Sequence, residues 1–150
     1  MKTLLFIISL ITFGTVSAQN INTLPTNNDL QLLTDGWYKF QLEGVSFDVE
    51  IQQGKYVKGN IFWPDGASYS GNLNGKYISG RGTYIFPSGM RYEGAFKRSK
   101  RHGKGSLILQ DGTKWSGKWK ENLKNGKGKI FSATGDITDS GVWDADERIM

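Results

Sequence analysis

The sequence contains no cysteine. This absence excludes disulfide bonds, a thiol nucleophile, a thiolate metal site and a cysteine-linked lipid anchor behind a signal sequence. We therefore expect packing alone to stabilise the folded chain, which a chain of 150 residues is large enough to achieve.

Residues that carry acid–base or nucleophilic chemistry are also scarce. His102 is the only histidine, and carboxylates such as Asp65, Asp111 and Asp136 are scattered along the chain. No pair of them has the close spacing that acid–base catalysis on a glycosidic bond requires. A kinase catalytic His-Arg-Asp motif is absent as well. The sequence predicts a protein that is not an enzyme and that uses no cofactor or metal ion.

Long apolar runs are missing except near the start of the chain. Lys2 precedes an apolar run at residues 4–13, and the small residues Val16-Ser17-Ala18 follow it as a cleavage site. This order predicts a secretory signal at residues 1–18, and the apolar run is too short for a membrane span. We expect an exported protein with no transmembrane span after cleavage; a periplasmic, cell-envelope or extracellular location stays open.

Glycine and aromatic residues, in contrast, are abundant and recur with a period of 23 residues. Tyr69-Ser70-Gly71 returns as Tyr92-Glu93-Gly94 and Trp115-Ser116-Gly117, and Gly80-Arg81-Gly82 returns as Gly103-Lys104-Gly105 and Gly126-Lys127-Gly128. A third marker, Asp65-Gly66, returns as Ser88-Gly89, Asp111-Gly112 and Thr134-Gly135. Three markers that keep one period indicate a repeat protein.

Each unit has the pattern of a β-hairpin. Two runs rich in aromatic and β-branched residues flank an Asp-Gly or Ser-Gly dipeptide, which is typical of a turn. With Asp111 and Gly112 as the two central turn residues, Ile108 lies opposite Trp115. The same count places Phe62 opposite Tyr69 and Ile85 opposite Tyr92, and each such pair stabilises a sheet by about 0.2–1 kcal/mol.

Alternation along each strand places the aromatic positions of successive units on one face of the sheet. This aromatic column comprises Tyr69, Tyr92, Phe96, Trp115 and Trp119. A glycine between two rings leaves space that a neighbouring ring covers. The column is either packing or, in part, a groove for a peptide or sugar. The predicted fold is all-β: an elongated, curved, single-layer antiparallel meander of stacked 23-residue β-hairpin repeats, which advance by about 10 Å each.

The unit resembles the MORN repeat (membrane occupation and recognition nexus). Tyr92-Glu93-Gly94-Ala95-Phe96 with Gly103-Lys104-Gly105 and Asp111-Gly112 is the clearest unit, and residues 115–119 with 126–128 are nearly as close. The resemblance implies a scaffold used for protein contacts, lipid contacts and oligomerisation. The Gly-x-Gly pairs repeat with the unit and open strands, so they predict sheet packing rather than a phosphate-binding loop.

We expect the array to span residues 36–143, with its clearest units at residues 68–135. A flexible lead-in at residues 19–35 precedes it, and a loose or short helical tail at residues 144–150 follows it. Alternatively, three leucines of the lead-in cap one end of the sheet, namely Leu30, Leu32 and Leu33.

The two end units depart from the pattern. The first aligns only with one residue deleted, and a turn at Glu43-Gly44 then places Phe40 opposite Phe47. The last unit, over residues 135–143, contains one extra residue, which predicts a bulge or a frayed strand.

The formal net charge is +5, and the cations concentrate in what the pattern indicates are long turns. The richest turn supplies the candidate anion- or lipid-binding residues Lys97, Arg98, Lys100, Arg101 and Lys104. The tight turns carry aspartate instead, so we expect a basic and a mildly acidic edge. A cation near an anionic surface contributes about 1 kcal/mol of binding. The simpler interpretation is that lysines keep the sheet soluble and its edges unpaired.

Two functions follow from these patterns. The first is an exported, non-catalytic scaffold that binds a protein partner or itself through its aromatic face and basic edge. The second is a peripheral binder of anionic membrane lipid, lipopolysaccharide or acidic polysaccharide through residues 97–104. Nucleic acid is not an expected partner, because an exported protein rarely meets it.

Overall fold

The computed structural model describes residues 2–3 and 33–150. Apart from Lys2–Thr3, the predicted secretory signal at residues 1–18 lies outside the described residues. Most of the predicted lead-in does too, together with two of the three leucines proposed as a cap. Leu33 is described, and it packs against the hydrophobic core.

The described residues form one sheet of consecutive strands. The strands are β1 (Lys2–Thr3), β2 (Gly36–Leu42), β3 (Val45–Gln52), β4 (Lys55–Phe62), β5 (Ser68–Asn74), β6 (Tyr77–Ile85), β7 (Arg91–Lys97), β8 (Lys100–Ile108), β9 (Lys114–Lys120), β10 (Leu123–Phe131), β11 (Ile137–Asp144) and β12 (Glu147–Arg148). Each strand pairs with the next in sequence order. β1 runs parallel to β2, and each pair of consecutive strands from β2 to β12 is antiparallel. The predicted all-β meander of stacked hairpins is confirmed.

Turns of two kinds alternate between the two edges of the sheet. At one edge, tight turns such as Arg98-Ser99 and Glu121-Asn122 have two central residues, both with positive φ. This is the type I′ geometry, which matches the twist of paired strands. The prediction that residues 97–104 form a long turn is therefore wrong. The chain turns at Arg98-Ser99, and β8 begins at Lys100.

A bulge in β8 explains that error. Gly94 pairs with Gly105, and Phe96 pairs with Arg101, so Ala95 alone faces residues 102–104. Gly103 adopts a φ of +78°, which glycine takes without steric cost. Of the residues that the sequence pattern assigned to one long turn, 102–104 thus form a bulge within β8.

At the opposite edge, the Asp-Gly loops hold one residue more than predicted. The amide of Leu109 donates to the Thr113 carbonyl at 2.9 Å, and the amide of Gly112 donates to the Leu109 carbonyl at 3.1 Å. Gly112 has a φ of +84°. This is a three-residue loop, a turn followed by a left-handed glycine, rather than a two-residue turn.

The extra loop residue shifts the predicted cross-strand pairs by one position. Trp115 lies opposite Leu107 and not Ile108. Likewise, Ile61 pairs with Tyr69 and Tyr84 pairs with Tyr92, so the predicted pairs with Phe62 and Ile85 are wrong. A shift of one residue moves a side chain to the other face. Phe62 and Ile85 are accordingly exposed, at 53% and 39%.

One prediction for each of the two end units is confirmed. The Glu43-Gly44 turn has two residues, and Phe40 pairs with Phe47 as predicted. The extra residue of the last unit forms a bulge, because Ile130 pairs with Asp139 whereas Phe131 pairs with Ile137.

The C-terminal segment differs from the loose or helical tail that the sequence predicts. Asp144 still belongs to β11, and Glu147–Arg148 forms β12. The Arg148 guanidinium contacts the Asp139 carboxylate at 3.0 Å. The amide of Val142 also donates to the Met150 carbonyl at 2.8 Å. These contacts hold the segment along the last full strand.

Candidate anion-docking face

The two faces of the sheet differ in composition, and one of them contains the core. Its rings form a continuous chain of edge-to-face contacts: Tyr69–Phe96 at 5.5 Å, Phe96–Tyr92 at 5.1 Å, Tyr92–Trp119 at 5.3 Å, Trp119–Trp115 at 5.0 Å and Trp115–Trp143 at 5.4 Å between centroids. Edge-to-face contacts of this kind stabilise a core beyond the burial of their area. We call this side the aromatic face.

Glycines on two strands make room for each ring. A Cβ atom on Gly82 would lie 2.6 Å from Cζ of Tyr69, and one on Gly105 would lie 2.5 Å from Cζ of Tyr92. A Cβ atom on Gly128 would likewise lie 2.8 Å from Cε2 of Trp115. An aromatic ring therefore packs directly over the second glycine of each Gly-x-Gly pair.

The predicted aromatic column belongs to this core. Its five side chains are between 0% and 8% exposed. The Tyr92 hydroxyl donates to the Ala95 carbonyl at 2.9 Å, and burial raises the pKa of Tyr92 to about 12. Of the two interpretations of the column, the structure favours packing, because rings that cover one another leave little surface for a ligand.

The opposite face of β5–β10 is cationic, and we call it the basic face. Pairing and strand alternation place on it Arg81, Arg91, Lys97, Lys100, Lys104, Lys114, Lys118, Lys120, Lys127 and Lys129. Glu93 is the carboxylate that the same strands contribute to this face, and it contacts Nε of Arg91 at 2.9 Å. Most of these cations are exposed. The face therefore carries a large excess of positive charge.

The charge excess ends at the N-terminal strands. On the same face of β2–β4, Lys39 contacts Asp48 at 3.2 Å and Lys58 contacts Glu50 at 3.1 Å. The hydrogen bonds from Gln52 and Lys58 lower the pKa of Glu50, so its carboxylate stays charged. The first hairpins are thus nearly neutral where the later repeats are basic.

The five predicted anion-binding residues separate into three groups. Lys97, Arg98 and Lys104 are exposed. Lys100 forms an ion pair with Glu121, whose carboxylate oxygen lies 2.5 Å from Nζ. Arg101 lies on the aromatic face instead.

Arg101 has a structural environment. Its guanidinium carbon lies 4.5 Å from the centroid of the Trp119 ring, and its Nη2 donates to the Asn122 carbonyl at 2.8 Å. Burial lowers the pKa of Arg101. The guanidinium lies over Trp119 and Tyr92 in the middle of the aromatic chain, so it is a packing element rather than part of an exposed cluster.

Sequence reasoning missed most of the basic face. Lys118, for example, stands between Gly117 and Trp119, and alternation alone places it opposite the aromatic column. Assigning every cation to a face by this alternation would have found the surface. Grouping cations by turn concealed it.

An apolar row, which the sequence analysis also missed, crosses the same face beside the Asp-Gly loops. Phe62, Ile85, Ile108, Phe131 and Ile137 form it. Arg91 and Lys114 lie between them, and Nζ of Lys114 is 4.4 Å from the centroid of the Phe131 ring. The predicted register placed three of these side chains inside the core, which is why the row was missed.

The described residues contain neither a group of three or more potential metal-binding His, Cys, Asp or Glu side chains nor a helix long and apolar enough to cross a membrane. Fold and surface together define an open β-hairpin repeat array with one aromatic and one basic face.

Comparison with protein families agrees with this description. The family model of the MORN repeat matches residues 69–91, 92–114 and 115–137. The chain therefore contains three consecutive MORN repeats, which indicates a repeat scaffold of the kind that commonly binds membranes or proteins. No curated protein matches the chain.

Proposed function

We propose that this protein is an exported, non-catalytic scaffold that docks on an anionic membrane surface through its basic face. The observation that carries the proposal is the segregation of charge across β5–β10. The strands contribute one carboxylate, Glu93, to the face that carries these cations, and the turn before β10 adds Glu121 beside Lys100. The secretory pattern of residues 1–18 supports export, and the scarcity of reactive side chains supports a non-catalytic role.

The energetics of such docking are favourable. A cation near an anionic lipid surface contributes about 1 kcal/mol, and several on one plane act together. The apolar row adds side chains such as Phe62 and Ile137, 53% and 55% exposed, that can enter the interface beside the headgroups. A face with both elements suits a membrane better than the type I′ turn at Arg98-Ser99 alone would.

A protein partner, or a second copy of the chain, is the other candidate. The apolar row alternates with cations, and exposed apolar side chains with neighbouring arginine are typical of protein interfaces. An acidic partner would complement it. This candidate and the membrane candidate use the same face, so one experiment separates them.

The experiment is co-sedimentation with vesicles that contain phosphatidylglycerol. We expect binding that weakens as salt is added, because salt screens charges on an exposed surface. The variant Lys127→Gln/Lys129→Gln should weaken binding by about tenfold or more, since it removes two cations of roughly 1 kcal/mol each. The matched control is Lys39→Gln/Lys58→Gln, which removes two cations already paired with carboxylates.

The control should bind nearly as well as the unmodified protein. Equal losses in both variants would show that net charge, not the basic face, governs binding, and would contradict the proposal. Failure of the unmodified protein to sediment with anionic vesicles would also overturn it. A protein that self-associates in light scattering would then favour the second candidate.

A further inference from the structure

A surface cavity of about 370 Å³ lies where β8 and β9 meet at the Gly103 bulge. Its lining includes His102, Gly103, Lys104, Lys118, Lys120 and Asn125. The lysines reach this space from two neighbouring strands. The cavity therefore combines concave shape with concentrated positive charge.

Without a bound anion, the three lysines of the lining repel one another. Lys104 and Lys118 are direct cross-strand partners, and Lys120 follows on the same side of β9. Like charges directly opposite each other destabilise a sheet. No ion pair among the described residues involves these three side chains, whereas the nearby Lys100 is neutralised by Glu121. A bound anion would offset this repulsion.

Polar atoms beside the lysines complete the lining. Nδ1 of His102 is buried without a hydrogen-bond partner and lies 3.8 Å from the Glu121 carboxylate. The side-chain amide nitrogen of Asn125 donates to Asp144 at 3.0 Å, which holds that side chain in place. The free donors of the lining are the three lysines, which come from β8 and β9, and neighbouring charged donors suit an oxyanion with several acceptor oxygens.

We propose that this cavity binds one phosphate group, whose oxygens accept hydrogen bonds from Lys104, Lys118 and Lys120. The inference rests on the proposed docking function and adds a discrete site to an otherwise diffuse charged face. The group could belong to a lipid headgroup or to a soluble phosphate compound, because the chemistry of recognition is the same.

The neighbouring repeats serve as internal controls. The same bulge in β6 places Arg81 opposite Ala95. In β10 it places Lys127 opposite Val142. Neither pair brings two cations directly face to face, so the middle repeat alone among these three bulges has the paired lysines.

His102 provides a direct readout, because it is the only histidine in the sequence. We would titrate the protein, prepared without a histidine tag, with inorganic phosphate at constant ionic strength and follow the imidazole signals by NMR. We expect a saturable shift that chloride does not reproduce. The variant Lys118→Gln/Lys120→Gln should weaken phosphate binding by about tenfold or more, since charged hydrogen-bond donors are lost.

The matched control is Arg81→Gln/Arg91→Gln, which removes two cations from the same face of the preceding repeat. It should leave the phosphate titration unchanged. All four side chains are exposed, so both variants should fold, and Lys120→Gln alone provides a milder form of the same test. Equal effects of both double variants, or a shift that phosphate and chloride produce alike, would overturn the inference.

Vesicles distinguish the two sources of phosphate. Tighter binding to phosphatidic acid, a phosphomonoester, than to phosphatidylglycerol, with the difference lost in Lys118→Gln/Lys120→Gln, would assign the site to a lipid headgroup. A saturable phosphate titration without that difference would support the cavity site with a soluble phosphate as its ligand. A saturable titration without any vesicle binding would contradict membrane docking and leave the cavity site standing.

Discussion

At the scale of the residue, the two glycines of each Gly-x-Gly pair are required for different reasons. Gly103 has a φ of +78°, and the nearest atom to an added Cβ would be Cβ of Ala95 at 3.5 Å. Gly105 has ordinary backbone angles, but an added Cβ would collide with the Tyr92 ring. The first glycine therefore serves backbone conformation and the second serves packing.

This distinction predicts opposite responses to asparagine. Gly103→Ala should destabilise the protein by about 1–2 kcal/mol, the cost of a left-handed residue. Gly103→Asn should cost less, because asparagine tolerates that conformation. Gly105→Ala should cost about 1–3 kcal/mol through overpacking, and Gly105→Asn should cost more because it is larger. Urea unfolding of the four variants measures both orders, and the same order at both positions would contradict the interpretation.

At the scale of the element, the type I′ turns form hydrogen bonds that join each repeat to the one before it. The Asn122 side-chain oxygen accepts a hydrogen bond from the Arg101 amide at 2.8 Å, and the Asn122 amide donates to the Arg101 carbonyl at 3.0 Å. Ser99 bonds Ile78 in the same way, and Asp146 bonds Lys124. Each of these turns thus forms hydrogen bonds with the beginning of an earlier strand. The bulge in that strand leaves these first residues outside the regular pairing with the next strand.

Removing one such side chain should loosen one junction. Asn122→Gly keeps the left-handed turn residue and its backbone hydrogen bond but loses the side-chain acceptor. We expect a loss of about 1 kcal/mol, the net value of a typical hydrogen bond, with some further cost from the flexibility of glycine. The free energy of the opening that exposes the Arg101 amide should fall by a similar amount, so the rate of hydrogen exchange at this amide should rise.

The control is Asn122→Asp, since aspartate makes the same contact at position 146. It should retain protection of the Arg101 amide. Loss of protection in both variants would indicate that the side-chain acceptor does not hold the junction.

At the scale of the whole molecule, the array behaves as a stack in which each unit contacts its neighbours. The repeats at residues 69–91, 92–114 and 115–137 have one length and one pairing scheme. Stability in such proteins is approximately a sum of unit and junction terms. Removal of a whole unit should therefore preserve the fold, whereas removal of half a unit should not.

Deletion of residues 92–114 should give a folded, shorter protein. The cut joins Arg91 to Trp115, a basic residue followed by an aromatic one, as in the natural Lys114-Trp115 junction. Every remaining side chain therefore stays on its present face of the sheet. Deletion of residues 92–103 removes most of β7, the Arg98-Ser99 turn and residues 100–103 of β8. It should unfold the C-terminal part of the array, because the later strands then run in the opposite direction relative to β6. Circular dichroism and thermal unfolding compare the two, and equal unfolding would show that the repeats are not interchangeable.

Much of this architecture follows from local patterns. The 23-residue period, the order of the hairpins and the aromatic column depend on residues close in sequence, and the structure contains all three. The pairing of Phe40 with Phe47 across a Glu43-Gly44 turn was also predicted correctly, because the two residues lie at equal distances from that turn in the sequence. Local spacing is sufficient where a single turn decides the outcome.

The candidate site was harder to predict, because it depends on pairs across strands. An Asp-Gly dipeptide fits both a two-residue and a three-residue loop, and only the Leu109 and Gly112 hydrogen bonds distinguish them. The preceding loop has the same pair of hydrogen bonds, from Phe86 to Met90 and from Gly89 to Phe86, and its extra residue moves Ile85 to the surface. The bulge at Gly103 similarly converts an apparent basic turn into strand, and it separates Arg101 from its sequence neighbours.

The sequence by itself determined that this protein is a repeat of β-hairpins with one aromatic side, because a period of two within strands and of 23 between units is local information. Only the tertiary structure decided which side chains share the other side and that Lys104 faces Lys118. Register is set by hydrogen bonds between strands, and a loop or bulge that alters it by one residue redistributes every side chain between the faces.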